Sequence, residues 1–189
     1  MSNSYYTEKD LLEIGFNKIG NNVLISKKTS IYGANNISIG NDVRIDDFSI
    51  LSGKIVIGNN VHIASYCGIF SGNGGVFLED YVGLSSRVTI YAVTDDYSGL
   101  ALTNPTIPEE FRMITSKEVV INKHALVGTD CTILPGVVIA EGSSFGAKSL
   151  IIKDSEPWSI NAGIPCKKIK ERNKDLLKLE EEYVNKYHI

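Results

Sequence analysis

The stretch Ile90-Tyr-Ala-Val-Thr-Asp-Asp-Tyr-Ser-Gly99 sets two carboxylates, Asp95 and Asp96, side by side in a polar segment. A carboxylate there can accept hydrogen bonds from an attacking group, or a proton from it. In an extended chain the side chains of neighbours diverge, so the two do not form a coupled dyad. Asp95 is expected to make the catalytic contact with Asp96 beside it, although Asp and Gly also suit a plain turn. Arg87 and Tyr91, flanking the last regular hexad before the loop, could hold a sugar or a phosphate. Histidine is the usual base near neutral pH, and the chain has three: His62 and His188, which suit surface roles, and His124 in Ile-Asn-Lys-His-Ala-Leu, a candidate substrate contact. Cys67, Cys131 and Cys166 form no C-x-x-C, so neither a disulfide framework nor a metal site is expected.

These residues must be positioned by a chain of 189 residues, enough for one domain with a real core. With 19 basic and 22 acidic side chains the net charge is −3, which argues against nucleic acid as a partner. The polar first ten residues and the lack of a long apolar run favour the cytoplasm and exclude a helical membrane span. The dominant signal is repetition. The segments Ile19-Gly-Asn-Asn-Val, Ile39-Gly-Asn-Asp-Val, Ile57-Gly-Asn-Asn-Val and Leu78-Glu-Asp-Tyr-Val follow one another at intervals of 20, 18 and 21 residues. Within each interval an aliphatic residue returns every six, as at Ile39, Ile45 and Leu51, and the rhythm resumes from Ile121 to Ile151. A period of six fits three short strands per coil joined by tight corners, with the aliphatics and the small residues four positions later, such as Val43 and Ser49, facing inward. Gly and Asn suit the corners because both tolerate positive φ. The prediction is an all-β solenoid of about six turns over 19–170, broken by a long loop at 91–118. Residues 1–18 hold a short helix with Thr7 as N-cap and Gly15 as stop, and 171–189 a C-terminal α-helix with an apolar stripe through Leu176, Leu179, Tyr183 and Tyr187.

The hexads, together with Ile133-Leu-Pro-Gly-Val-Val-Ile-Ala-Glu-Gly-Ser-Ser-Phe-Gly-Ala-Lys-Ser-Leu150 and Ala162-Gly-Ile-Pro-Cys-Lys-Lys-Ile-Lys170, resemble the hexapeptide-repeat acyltransferases. The resemblance spans most of the chain. It implies a left-handed parallel β-helix, a homotrimer with active sites between subunits, and acetyl-CoA as co-substrate. Gly146, Ala147 and Lys148 correspond to the family's turn along the pantetheine arm, and Pro165 to its segment near the nucleotide. Lys153, Lys167 and Lys168 would supply positive charge for the CoA phosphates. Sugar O-acetyltransferases of this family carry Y-x-x-x-H in the loop, and its histidine deprotonates the acceptor hydroxyl. Here Tyr91 matches and Asp95 stands at the histidine position. An ordinary aspartate is too weak a base for a sugar hydroxyl, whereas an amine is already nucleophilic when neutral and needs only orientation. The departure therefore favours an N-acetyltransferase acting on an amino sugar, expected to be nucleotide-linked and destined for surface polysaccharide. The rivals are sugar O-acetylation with His124 as base, and a β-helix scaffold without catalysis.

Overall fold

The computed structural model describes residues 4–187, so His188 lies outside it. A short helix α1 (Glu8–Ile14) opens the chain and is followed by stacked coils of three strands each. The first two coils are β1 (Lys18–Ile19), β2 (Leu24–Ile25), β3 (Ser30–Tyr32) and β4 (Ile37–Ile39), β5 (Arg44–Ile45), β6 (Ile50–Ser52). The next two are β7 (Ile55–Ile57), β8 (His62–Ile63), β9 (Gly68–Phe70) and β10 (Val76–Leu78), β11 (Gly83–Leu84), β12 (Thr89–Tyr91). A long loop then intervenes, held at its base by the antiparallel pair β13 (Val93–Thr94) and β14 (Thr115–Ser116). Two further coils follow, β15 (Val119–Ile121), β16 (Leu126–Val127), β17 (Thr132–Ile133) and β18 (Val138–Ile139), β19 (Ser144–Phe145), β20 (Leu150–Ile151). β21 (Ser159–Ala162) begins a seventh coil, β22 (Lys167–Glu171) turns back antiparallel along it, and α2 (Leu176–Tyr187) closes the chain.

Equivalent strands of successive coils pair in register into three parallel faces, in the orders β1-β4-β7-β10-β15-β18, β2-β5-β8-β11-β16-β19-β21 and β3-β6-β9-β12-β17-β20, with antiparallel β22 at the edge of the second. The structure thus has six complete coils and part of a seventh, slightly more than the hexads alone counted. The aliphatic columns face inward: Ile45, Ile63 and Leu84 are almost fully buried, as are the small residues of the second column, Val43, Ser49, Cys67, Val88, Cys131 and Ser149. Burial pushes the Cys67 thiol up to about 11, so it is a filler and not a nucleophile. Ile19 and Ile31, in the first coil, are only half-buried because no coil lies beneath them.

The corners follow a different logic from the one expected. Positive φ falls on Asn22, Asp42 and Asn60, not on the glycines two residues earlier. Gly20 and Gly40 are required for space instead, because a Cβ there would come within 2.6 Å of the carbonyl oxygen of the next coil's glycine. The neighbouring asparagines stitch coils together: the amides of Asn21 and Asn41 each donate at 2.9 Å to the side chain of the equivalent Asn in the next coil. α1 forms as the sequence predicts, with Thr7 and Asp10 in a reciprocal capping box and Gly15 at φ 79°. The C-terminal helix is shorter than expected, because 167–171 is strand and the helix begins at Leu176.

Because Ile63 is buried between Ile45 and Leu84, Ile63→Ala should cost roughly 2–5 kcal/mol. Urea denaturation followed by circular dichroism checks this.

Candidate active site

The loop from Ala92 to Glu118 leaves the corner after β12 and returns to the corner before β15. Its root is tight: a Cβ on Gly74 would strike the Lys117 backbone at 2.7 Å, and one on Gly72 would strike Val93. Ser116 Oγ accepts the Gly74 amide at 2.7 Å. Further out, Asp96 organises the loop by accepting the Ser98 hydroxyl at 2.7 Å and the amides of Ser98, Leu100 and Ala101 at 2.9, 2.8 and 3.1 Å. The Ser98 hydroxyl first, and these amides after it, bring its carboxyl down to about 2. Asp96 was expected to touch substrate, yet its acceptor capacity is taken up within the loop. Asp95 is different. It is half-buried, and its carboxylate accepts one long bond, 3.4 Å from the Asn104 amide. Of the two neighbours, Asp95 is the one with capacity for a ligand.

The loop also exposes apolar side chains among its polar ones. Tyr97 is 93% exposed and Leu100 82%, with Leu102, Phe111 and Met113 also exposed. Tyr91 stacks on Phe70 with ring centroids 5.3 Å apart, at the loop's departure point. Arg87 is paired to Asp130, Nε to Oδ1 at 2.5 Å and Nη2 to Oδ2 at 3.1 Å. Arg87, Asp130 and Lys148 occupy the same corner position in three successive coils, each at positive φ, and make a column of alternating charge.

His124 does not join the loop residues. It lies on the corner between the first and second faces, 7% exposed, stacked on Tyr81 at 5.1 Å. Its Nε2 meets Glu180 of α2 at 2.8 Å, and Lys123 reaches the same carboxylate at 2.6 Å. Burial pushes the Glu180 carboxyl up, but these two hydrogen bonds outweigh it and hold it below its ordinary value. Arg172 completes the anchor by donating to the carbonyls of His124 and Gly142. His124 therefore fastens the C-terminal helix through Nε2 and lines the cavity beside it. His62 is likewise engaged, at 2.8 Å from Asp46. Trp158 is buried over Gly142.

The expected cofactor residues gather at the C-terminal end. Gly146, Ala147 and Lys148 form an exposed corner, where the Gly146 carbonyl accepts from Ser149 Oγ at 2.6 Å. A cavity of about 190 Å³ brings Lys153, Lys167 and Lys168 together beside Cys166. Lys168 is already paired to Glu156 and Glu171, both at 2.6 Å, so its charge is neutralised locally. Lys153 and Lys167 have no carboxylate partner among the described residues and remain available for phosphate. Pro165 follows a cis peptide bond on the exposed turn next to them. Among the described residues there is no group of three or more His, Cys, Asp or Glu that could hold a metal ion, and no helix is long and apolar enough to cross a membrane.

Sequence reasoning missed Asp130 and Glu180. Asp130 was readable, since it stands where Arg87 stands one coil earlier. Glu180 was not, since it meets His124 across 56 residues.

The family model described as bacterial transferase hexapeptide (six repeats) matches residues 36–71. An Escherichia coli protein named dTDP-4-amino-4,6-dideoxy-D-glucose acyltransferase is 47% identical over 94% of this chain and 93% of its own length. A putative lipopolysaccharide biosynthesis O-acetyl transferase, WbbJ, of E. coli K12 is 31% identical over 76% of this chain and 73% of its own. Among solved structures, AntD, an N-acyltransferase from Bacillus cereus in complex with dTDP and 3-hydroxybutyryl-CoA, superposes with a TM-score of 0.96 at 44% identity, covering 99% of this chain and 100% of that one. A serine-to-alanine variant of AntD in complex with dTDP-4-amino-4,6-dideoxyglucose and coenzyme A gives 0.95, covering 97% and 99%.

Since its bonded carboxylate is favoured, Asp96 contributes full anchoring above the ordinary carboxylate value of about 4. That contribution is lost only as pH falls through about 2. Limited proteolysis should therefore cut wild-type 96–101 equally slowly at pH 5 and pH 8. Asp96→Ala should be cut there much faster at both, with the coil's melting transition retained.

Proposed function

The chain belongs to the hexapeptide-repeat acyltransferases and has their left-handed parallel β-helix, and from that premise we propose that it transfers an acyl group from a CoA thioester to the amine of a dTDP-linked amino-deoxy sugar. The single observation that carries the amine over a hydroxyl is Asp95: a half-buried carboxylate with spare acceptor capacity on the loop, where no histidine stands. In this reading Asp95 accepts a hydrogen bond from the sugar amine and aims its lone pair at the thioester carbonyl. The nitrogen–carbon bond forms, the carbon–sulfur bond breaks, and the proton lost by nitrogen ends on the departing thiolate through water. A backbone N–H of an adjacent coil stabilises the transient oxyanion. Gly146, Ala147 and Lys148 line the pantetheine arm, while Lys153 and Lys167 face the CoA phosphates. Acetyl-CoA is the expected donor. The 3-hydroxybutyryl-CoA bound by AntD makes acyl length the first property to measure.

The unit that acts is a homotrimer in this proposal. Tyr97, Leu100, Phe111 and Met113 leave apolar side chains exposed on one loop, and a neighbouring subunit would cover them. The setting is cytoplasmic synthesis of an amino sugar for lipopolysaccharide or O-antigen, in keeping with the nucleotide carrier.

Thiol release is expected with acetyl-CoA and dTDP-4-amino-4,6-dideoxyglucose, and not with galactosides or maltose. A preference for the neutral sugars would overturn the amine reading. Asp95→Ala should lower kcat/KM for the amino sugar by about 10²-fold or more, with KM for acyl-CoA unchanged.

A further inference from the structure

A carboxylate that orients an amine has to hold one direction itself, and a carboxyl group turns easily about its own bond when nothing engages it. The residues beside Asp95 do not engage its side chain. The Thr94 hydroxyl donates to the Asp95 carbonyl at 3.4 Å, and the amides of Ser98, Leu100 and Ala101 go to Asp96. Among the described residues, the donor that reaches the Asp95 carboxylate is the Asn104 amide, nine residues on and 3.4 Å from Oδ2. That amide is fixed by its own residue. Asn104 has φ 73°, a conformation that asparagine tolerates better than most side chains. Its Oδ1 accepts the Thr106 amide at 3.0 Å and the Thr106 hydroxyl at 2.5 Å, and its carbonyl accepts the Ile107 amide at 3.3 Å. Just before it, the Leu102 amide donates to the Phe111 carbonyl at 2.9 Å and ties this turn to the returning half of the loop.

We propose that Asn104 is a positioning residue for the transfer step: its side chain closes the turn that aims its amide at Asp95 Oδ2, which leaves Oδ1 directed at the sugar amine. This rests on the amine-orienting reading of Asp95 given above and names the residue through which that carboxylate is set. Asp96 shapes the turn at 96–101, Asn104 shapes the turn at 104–107, and the Asp95 carboxylate bridges the two. A bond of 3.4 Å adds little to stability. Its effect is on direction, and direction is what the reaction is sensitive to, since a misplacement of about 1 Å costs on the order of 10²-fold in rate. Asn104 and Thr106 are both exposed and lie outside the coils, so loosening this turn leaves the β-helix intact.

The test is a double-mutant cycle read by steady-state thiol release with acetyl-CoA and dTDP-4-amino-4,6-dideoxyglucose. Asn104→Gly keeps the backbone conformation but removes the acceptor for Thr106, whereas Asn104→Asp keeps both. Asn104→Gly should lower kcat by roughly ten- to thirtyfold with the KM for acetyl-CoA and the melting transition unchanged, and Asn104→Asp should stay within about threefold of wild type. In an Asp95→Ala background, Asn104→Gly should cost nothing further, because the group it positions is gone. A loss that persists in that background would overturn the proposal, since the turn would then serve the loop as a whole. So would wild-type kcat in Asn104→Gly. An Asn104→Asp variant as slow as Asn104→Gly would overturn it too, because the side-chain amide would then contact a ligand itself. Full activity of Asp95→Ala alone would instead remove the amine-orienting reading, and the positioning role with it.

Discussion

Every coil of this molecule satisfies its backbone through the coils above and below, and that constraint governs the rest. The amides of Leu24, Arg44, His62, Gly83 and Leu126 donate to carbonyls of the following coil at 2.8 to 3.1 Å. Such a ladder tolerates no slip, because one residue out of register would send the aliphatic column outward and the corner side chains inward. Side chains at the corners are consequently held at positive φ, even bulky ones such as Phe48, Tyr66 and Arg87. The strain is offset by stacking between coils, as with Phe48 and Tyr66 at 4.9 Å, or by the Arg87–Asp130 pair.

The constraint also explains where chemistry can be placed. A segment that does not conform to the hexad has to leave at a corner and come back to the same corner, which the loop does through β13 and β14. Inside that excursion two adjacent aspartates take separate tasks. Asp96 collects the donors that shape the loop, and Asp95 is left with a single distant donor. Division of labour between like residues is set here by which backbone amides each can reach, not by any difference in their intrinsic acidity.

The coils were legible from sequence because their period is imposed by geometry: three flat strands and three corners leave room for nothing but an aliphatic every six residues. The capping box at Thr7 and the bounds of the loop were legible for the same kind of local reason. What lay beyond reach depended on contacts without a period. The pairing of His124 with Glu180 of α2, and of Lys168 with Glu156 and Glu171, has no signature in the repeat. The corners were located correctly, for the right reason at the asparagines and for a different one at the glycines. The glycines serve close approach of backbones, and the asparagines carry both the positive φ and the bonds between coils.

A stack of identical coils has no intrinsic last member, and an open strand edge can recruit another chain. This one stops itself. β22 reverses direction along β21, and the edge it presents reads Lys167-Lys168-Ile169-Lys170-Glu171, every residue exposed. A further strand laid against it would have to bury three ammonium groups, which gives the final strand the character of a gatekeeper against end-to-end polymerisation.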